Sequence, residues 1–177
     1  MIEALISSKT RIKLLLKFFL NSSTRAYLRG LEEEFGESSN AIRLELNKLE
    51  NVGMITGEVE GNKKYFKANT GHPLFKDLNS IVKKFVGIDT IIEYVISKLG
   101  DVSRVYICGD IAKGLDSSVI DLDVVGDVNV NYLAELAKKA EPLVKRKIRF
   151  AVYSPEEYDT ILQNIVKENY KLLIWSK

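Results

Sequence analysis

The stretch Asn40-Ala41-Ile42-Arg43-Leu44-Glu45-Leu46-Asn47-Lys48-Leu49-Glu50-Asn51-Val52-Gly53-Met54-Ile55 decides how the first half of the chain reads. Ile42, Leu46 and Leu49 fall on one face of a helix over residues 40–52. Gly53 stops that helix, because a glycine just past the last turn accepts the left-handed backbone that ends it. Beyond it, two strand-like runs at 54–59 and 64–68 flank Glu60-Gly61-Asn62-Lys63, a turn sequence that predicts a hairpin. On the other side, Gly36-Glu37-Ser38-Ser39 is a tight turn. A short helix at 26–35 precedes it, with Tyr27, Leu28, Leu31 and Phe35 facing inward. A first helix at 10–20 carries Ile12, Leu15, Leu16 and Phe19 on its apolar face. Thr70-Gly71-His72-Pro73 closes this unit.

Helix, helix, tight turn, helix and hairpin is the order of a winged helix-turn-helix. The run Leu46-Asn47-Lys48-Leu49-Glu50-Asn51-Val52-Gly53, leading into Met54-Ile55, resembles the recognition helix and following strand of ArsR-like winged-helix repressors. The resemblance spans residues 9–69 and implies binding to double-stranded DNA, with the third helix in the major groove. With Ile42, Leu46 and Leu49 turned inward, the outer face carries Asn40, Arg43, Asn47 and, nearer its edge, Lys48. Asparagine and arginine side chains pair bidentately with adenine and guanine edges. Ser38 and Ser39 are expected to contact phosphate at the helix start, and Lys63 and Lys64 at the hairpin tip. The acidic run Glu32-Glu33-Glu34 is expected on the solvated side of the second helix. One cysteine and one histidine exclude the thiolate-rich centres of metal-sensing relatives.

Residues 74–99 are helical in pattern, with a break near Gly87-Ile88-Asp89, and read as a connector that serves packing or dimerisation. The rhythm then changes. Strands are expected at 104–108, 119–125, 147–153 and 171–176, and helices at 131–146 and from Pro155 to about residue 163. Alternation of this kind predicts a small sheet covered by helices. Within it, Cys108-Gly109-Asp110 is followed by Val119-Ile120-Asp121-Leu122-Asp123-Val124-Val125-Gly126. Residues i and i+2 of a strand share a face, so Asp121 and Asp123 converge, and paired carboxylates can hold Mg²⁺ against a triphosphate.

This arrangement resembles the signature of the nucleotidyltransferase superfold over residues 88–177: a strand ending in Gly-Ser, then Asp-x-Asp, then a third carboxylate on a later strand. The chain departs from it twice. Asp110 stands where the family has serine, and the strand Lys147-Ile148-Arg149-Phe150-Ala151-Val152 has no carboxylate. The resemblance therefore implies the fold without catalysis, and no nucleotidyl transfer is expected. Gly109, Asp110 and Lys113 remain as a nucleotide or phosphate site, with Arg104 or Arg149 also available to phosphate. Cys108 reads as a packed thiol, His72 as a surface residue and Trp175 as a core or interface aromatic.

The chain of 177 residues is 46% hydrophobic and 28% charged, enough apolar content to bury a core and too much for a disordered chain. A single cysteine rules out an intrachain disulfide and suits a reducing, cytoplasmic setting. No apolar run is long enough to span a bilayer, and the start lacks the form of a signal peptide. Net charge is +2, divided as +4 over residues 1–85 and −2 over 86–177. The sequence thus reads as an α+β chain: a winged helix-turn-helix domain at 1–72, a helical connector at 73–100 and a nucleotidyltransferase-like domain with a small mixed sheet at 101–177. The expected function is sequence-specific DNA binding for transcription control, as a homodimer, with no membrane partner. The second domain would serve dimerisation, partner binding or the sensing of a small-molecule or nucleotide effector. The alternative is an active Mg²⁺-dependent nucleotidyltransferase, with Asp121 and Asp123 as catalytic metal ligands, carrying a DNA-binding domain.

Overall fold

Short apolar runs broken by glycine- and asparagine-rich turns give many short elements, and these gather into two units. The computed structural model describes residues 6–164 and 171–177. The division falls between Phe85 and Val86, inside the expected connector.

The first unit holds α1 (Lys9–Leu15), β1 (Ala26–Tyr27), α2 (Leu28–Phe35), α3 (Ser39–Asn51), β2 (Ile55–Glu60), β3 (Lys63–Ala68) and all but the last residue of α4 (Phe75–Val86). Ile42, Leu46 and Leu49 are buried, as the periodicity requires, and so are Leu14 and Leu15 of α1 and Leu31 of α2. Two expected helices are corrected. Residues 10–20 are not one α-helix: α1 stops at Leu15 and a π-helical turn carries Leu16–Leu20. Every residue of that turn is buried, the apolar Leu16, Phe18, Phe19 and Leu20 together with Lys17, whose ammonium has an acidic partner. Ala26 and Tyr27 do not begin the second helix. They pair antiparallel with Phe66 and Tyr65 of β3, and the Tyr27 and Tyr65 rings meet edge to face at 5.4 Å. Cross-strand hydrogen bonds and an aromatic pair outweigh a local helical preference there. The hairpin falls where expected, with Glu60 opposite Lys63, and the sheet order is β1-β3-β2.

The acidic run is corrected in part: Glu33 is exposed as expected, whereas Glu32 and Glu34 have partners. Glu34 is not solvated: it pairs with buried Lys17 at 2.6 Å, and Glu32 accepts a hydrogen bond from the Ser39 hydroxyl. These contacts tie α2 to its neighbours.

The second unit holds α5 (Ile88–Tyr94), a 3₁₀ turn (Ile96–Lys98), β4 (Asp101–Cys108), α6 (Gly109–Ala112), β5 (Val119–Asp127), α7 (Val130–Val144), β6 (Lys147–Tyr153), α8 (Pro155–Asn164) and β7 (Leu172–Ser176). The helical break comes at Gly87, as its sequence suggested. The sheet is mixed, in the order β6-β5-β4-β7. β4 runs antiparallel to β5 and β7, while β5 and β6 are parallel, joined by the α7 crossover. α8 starts with a reciprocal cap: Glu157 N–H donates to the Ser154 hydroxyl and Ser154 N–H to the Glu157 carboxylate, at 3.2 and 2.9 Å. No helix among the described residues is long and apolar enough to cross a membrane.

Candidate active site

The two central strands of the second unit set the geometry. Antiparallel register places Cys108 opposite Asp121 and Tyr106 opposite Asp123, so these four side chains share one face. Parallel register places Arg149 of β6 beside Asp121 and Ala151 beside Asp123. Those are the two places from which a third strand could add a carboxylate, and neither holds one.

Each aspartate has its own cation. Arg149 Nε and Nη2 donate to the two oxygens of Asp121 at 2.7 and 3.0 Å, a bidentate fork. Lys171 donates to Asp123 Oδ2, and the Tyr158 hydroxyl donates to the same oxygen at 3.0 Å. Asp123 and Tyr158 are buried, and the Tyr158 ring lies 5.0 Å from Tyr106 and 5.3 Å from Tyr153. The Lys171 ammonium stands 4.6 Å from the Tyr158 ring centroid, so the buried carboxylate meets both a full charge and an oriented hydroxyl.

This environment holds nearby acids in their neutral forms. Burial, followed by the hydrogen bond and charge of Asp123, pushes the Cys108 thiol up to about 12. Burial and the Asp123 charge likewise raise Tyr158 above the usual phenol range. Cys108 is therefore no thiolate nucleophile, in line with its reading as a packed thiol.

Gly109 sits at the corner between β4 and α6 with φ of +65°. A Cβ there would lie 2.8 Å from Asp121 Oδ2, so only glycine leaves the approach to that oxygen open. Asp110 is exposed, and its charge acts on Arg149. Lys113 follows α6, half-buried. Arg104 does not serve this site: its guanidinium pairs with Asp159 at 2.7 Å.

The donor chemistry suits Mg²⁺, a hard cation that takes one or two carboxylates and fills its shell with water and phosphate oxygens. Asp121 and Asp123 would be those carboxylates, with Gly109 leaving the open side. Among the described residues no three metal-binding side chains gather, so the described chain offers this place two carboxylates at most.

The residues expected to contact DNA divide into two groups. Arg43 and Asn47 of α3 and Lys63 and Lys64 of the hairpin line one cavity of about 450 Å³, together with Tyr27, Arg29 and Asn62. Lys63 stacks over Tyr27 at 4.3 Å, and Lys64 pairs with Glu50 at 2.7 Å. The others have local duties. The Ser38 hydroxyl caps α3 by accepting from Ala41 N–H, Ser39 donates to Glu32, and Lys48 pairs with buried Glu45 at 3.2 Å. Asn40 is exposed at the start of α3 and does not line the cavity.

Sequence reasoning missed Lys171 and Tyr158. Tyr158 carries a weak signal, a lone tyrosine near the start of a polar helix. Lys171 carries none, since it lies 48 residues from the carboxylate it meets.

No family model matches the chain, and no curated protein matches it. Solved structures do. A mutant of the toxin–antitoxin pair MntA–HpeT is similar over 51% of this chain and 74% of its own, at 17% identity and a TM-score of 0.40. A protein from Sulfolobus solfataricus, provisionally named a nucleotidyltransferase, is similar over 53% of this chain and 82% of its own, at 26% identity and a TM-score of 0.37. These findings correct the functional expectation. One similar structure is named as a toxin–antitoxin pair and the other, provisionally, as a nucleotidyltransferase. The reading as an ArsR-like, DNA-binding transcriptional regulator is withdrawn.

Proposed function

We propose that this protein is a nucleotidyltransferase-type enzyme that transfers a nucleoside monophosphate from a nucleoside triphosphate to a hydroxyl acceptor, releasing pyrophosphate. The observation that carries the reading is the pair Asp121 and Asp123 on one face of β5, beneath a glycine that leaves Asp121 Oδ2 approachable. Mg²⁺ held by these carboxylates would neutralise triphosphate charge and lower the pKa of the attacking hydroxyl.

The remaining work belongs to the chain's own side chains. Gly109 admits the phosphates closely, and Lys113 supplies a cation beside them. Tyr158 and Lys171 fix Asp123 in one rotamer, so that carboxylate is preorganised rather than mobile. Asp110 replaces a hydroxyl with a charge, and its repulsion toward phosphate is offset by Arg149, on which that charge acts. The N-terminal unit is read as a winged helix from the order of α1, α2, α3 and the β2–β3 hairpin, and no DNA-directed role is attached to it.

The test is incubation of the full chain with each α-labelled nucleoside triphosphate, Mg²⁺ or Mn²⁺, and a cell extract as the source of acceptors. Label should enter an acceptor and fall to background in the Asp121→Ala, Asp123→Ala double variant. Label that persists in the double variant, or no label with any nucleotide, counts against the reading.

A further inference from the structure

We propose that Arg149 is an exchangeable latch: it occupies the Asp121 carboxylate until a divalent cation takes that place, and its released guanidinium then binds the phosphates of the incoming nucleotide. The inference rests on the nucleotidyltransferase reading and deepens it by assigning a phosphate-binding residue.

Three observations carry it. Each oxygen of Asp121 accepts one guanidinium hydrogen bond, at 2.7 and 3.0 Å, so a cation at Asp121 must share that carboxylate with Arg149 or displace it. The two ion pairs of the site differ in burial. Arg149 and Asp121 are 71% and 29% exposed, whereas Lys171 and Asp123 are 16% and 12% exposed, with Tyr158 as a further partner. An exposed pair is screened and easily exchanged, while a buried pair leaves an uncompensated charge if one member departs. Lys171 is therefore a fixed support for Asp123, and Arg149 is the movable member.

The third observation is position. Arg149 sits on the edge strand β6 in register with Asp121, next to the open side left by Gly109. A guanidinium freed there has a planar fork suited to a phosphate group. The exchange puts a divalent ion where one monovalent cation stood, raising the charge beside the carboxylates by one, and moves the arginine's charge onto the phosphate anion. Metal and nucleotide should then bind with positive coupling, and Arg149 sets its size.

Calorimetry on the full chain tests this without turnover, using Mn²⁺ alone and then the α,β-methylene analogue of ATP at saturating Mn²⁺. Arg149→Met keeps much of the side-chain stem and removes the charge. It should bind Mn²⁺ alone about tenfold more tightly than wild type, the scale on which groups around a metal ligand act. It should bind the nucleotide analogue about tenfold more weakly, the loss expected for one charge-assisted contact. Arg149→Lys should fall between the two in both arms, having a charge but no fork. Equal affinities for wild type and Arg149→Met in either arm overturn the latch, as does Mn²⁺ binding to neither protein. Nucleotide binding that is intact but insensitive to Arg149 removes the latch and leaves the transferase reading standing. No nucleotide binding to wild type at any Mn²⁺ concentration removes both.

Discussion

Asp121 and Asp123 are two residues apart on one strand, yet their surroundings give them different chemistry. Asp123 is buried under Tyr158 and Lys171, and Asp121 lies at the edge under an exposed arginine. The buried side also governs Cys108, whose thiol is held up to about 12 by burial and then by Asp123. A thiol with a raised folded pKa favours the native state while the unfolded thiol is still protonated. That advantage is lost as pH rises from the ordinary thiol value near 9 toward 12, because the unfolded chain ionises first. Stability should therefore fall over this window with a slope of up to about 1.4 kcal/mol per pH unit from this group. Urea unfolding of wild type and Cys108→Ala at pH 8 and 10 checks it: the variant should lose less, and equal losses would remove the effect. At pH 8 a thiol reagent should label Cys108 only after unfolding. Tyr158→Phe should cost about 1–2 kcal/mol, since it deletes a hydrogen bond to a buried carboxylate while leaving the ring packed.

At the scale of elements, close backbone approaches and cross-element ion pairs hold the two sheets and the helices beside them. Gly126 lies near the end of β5 with φ of +149°, opposite the Val102/Arg104 irregularity of β4. A Cβ there would come within 2.2 Å of the Asp101 carbonyl oxygen, which is backbone and cannot swing aside. Gly126→Ala should cost about 2–4 kcal/mol and separate the strand ends, read as a lower urea midpoint. In the first unit, Arg11 of α1 pairs with buried Glu45 of α3 at 2.7 Å, and Lys48 also reaches Glu45. Burial pushes the Glu45 carboxyl up, but the hydrogen bonds from Arg11 and Lys48 prevail and hold it below the usual range. A lowered folded pKa contributes stability above the unfolded value near 4.5 that is lost as pH falls through the folded one. Glu45→Ala should cost about 1–2 kcal/mol at neutral pH, discounted because Arg11 is more than a third exposed, and the difference from wild type should shrink below pH 4.

For the whole molecule, the two units divide the chemistry. The carboxylate site lies wholly within the second unit, whereas the cationic cavity of Arg29, Arg43, Lys63 and Lys64 lies wholly within the first. A ligand bound at the carboxylates should therefore mark one unit only. Hydrogen exchange with and without the methylene analogue and Mn²⁺ should show slower exchange around residues 106–113, 119–123 and 147–151, and none in α3 or the β2–β3 hairpin. Protection at Arg43, Asn47 and Lys63 instead would place the nucleotide in the first unit and refute the site. Saturation at about one hundred times Kd should add about 2.7 kcal/mol to the unit that binds.

Periodicity and turn chemistry, which act over neighbouring residues, let the sequence alone determine most element positions, from the buried stripe Ile42, Leu46 and Leu49 to the hairpin at Gly61-Asn62 and the strand at 147–153. They also placed Asp121 and Asp123 on one face, because that follows from the two-residue repeat of a strand. Three other features were settled only by the fold. Tyr27 pairs with Tyr65 rather than starting a helix, because the partner strand is 38 residues away. The run from Leu16 to Leu20 is a π turn buried throughout, where its local pattern predicted a continuous α-helix. The partners of the carboxylates are Arg149 of β6 and Lys171, just before β7, at separations of 28 and 48 residues. Local sequence carries no record of such pairings, since the free energy that selects them arises only when distant strands meet and exclude water together.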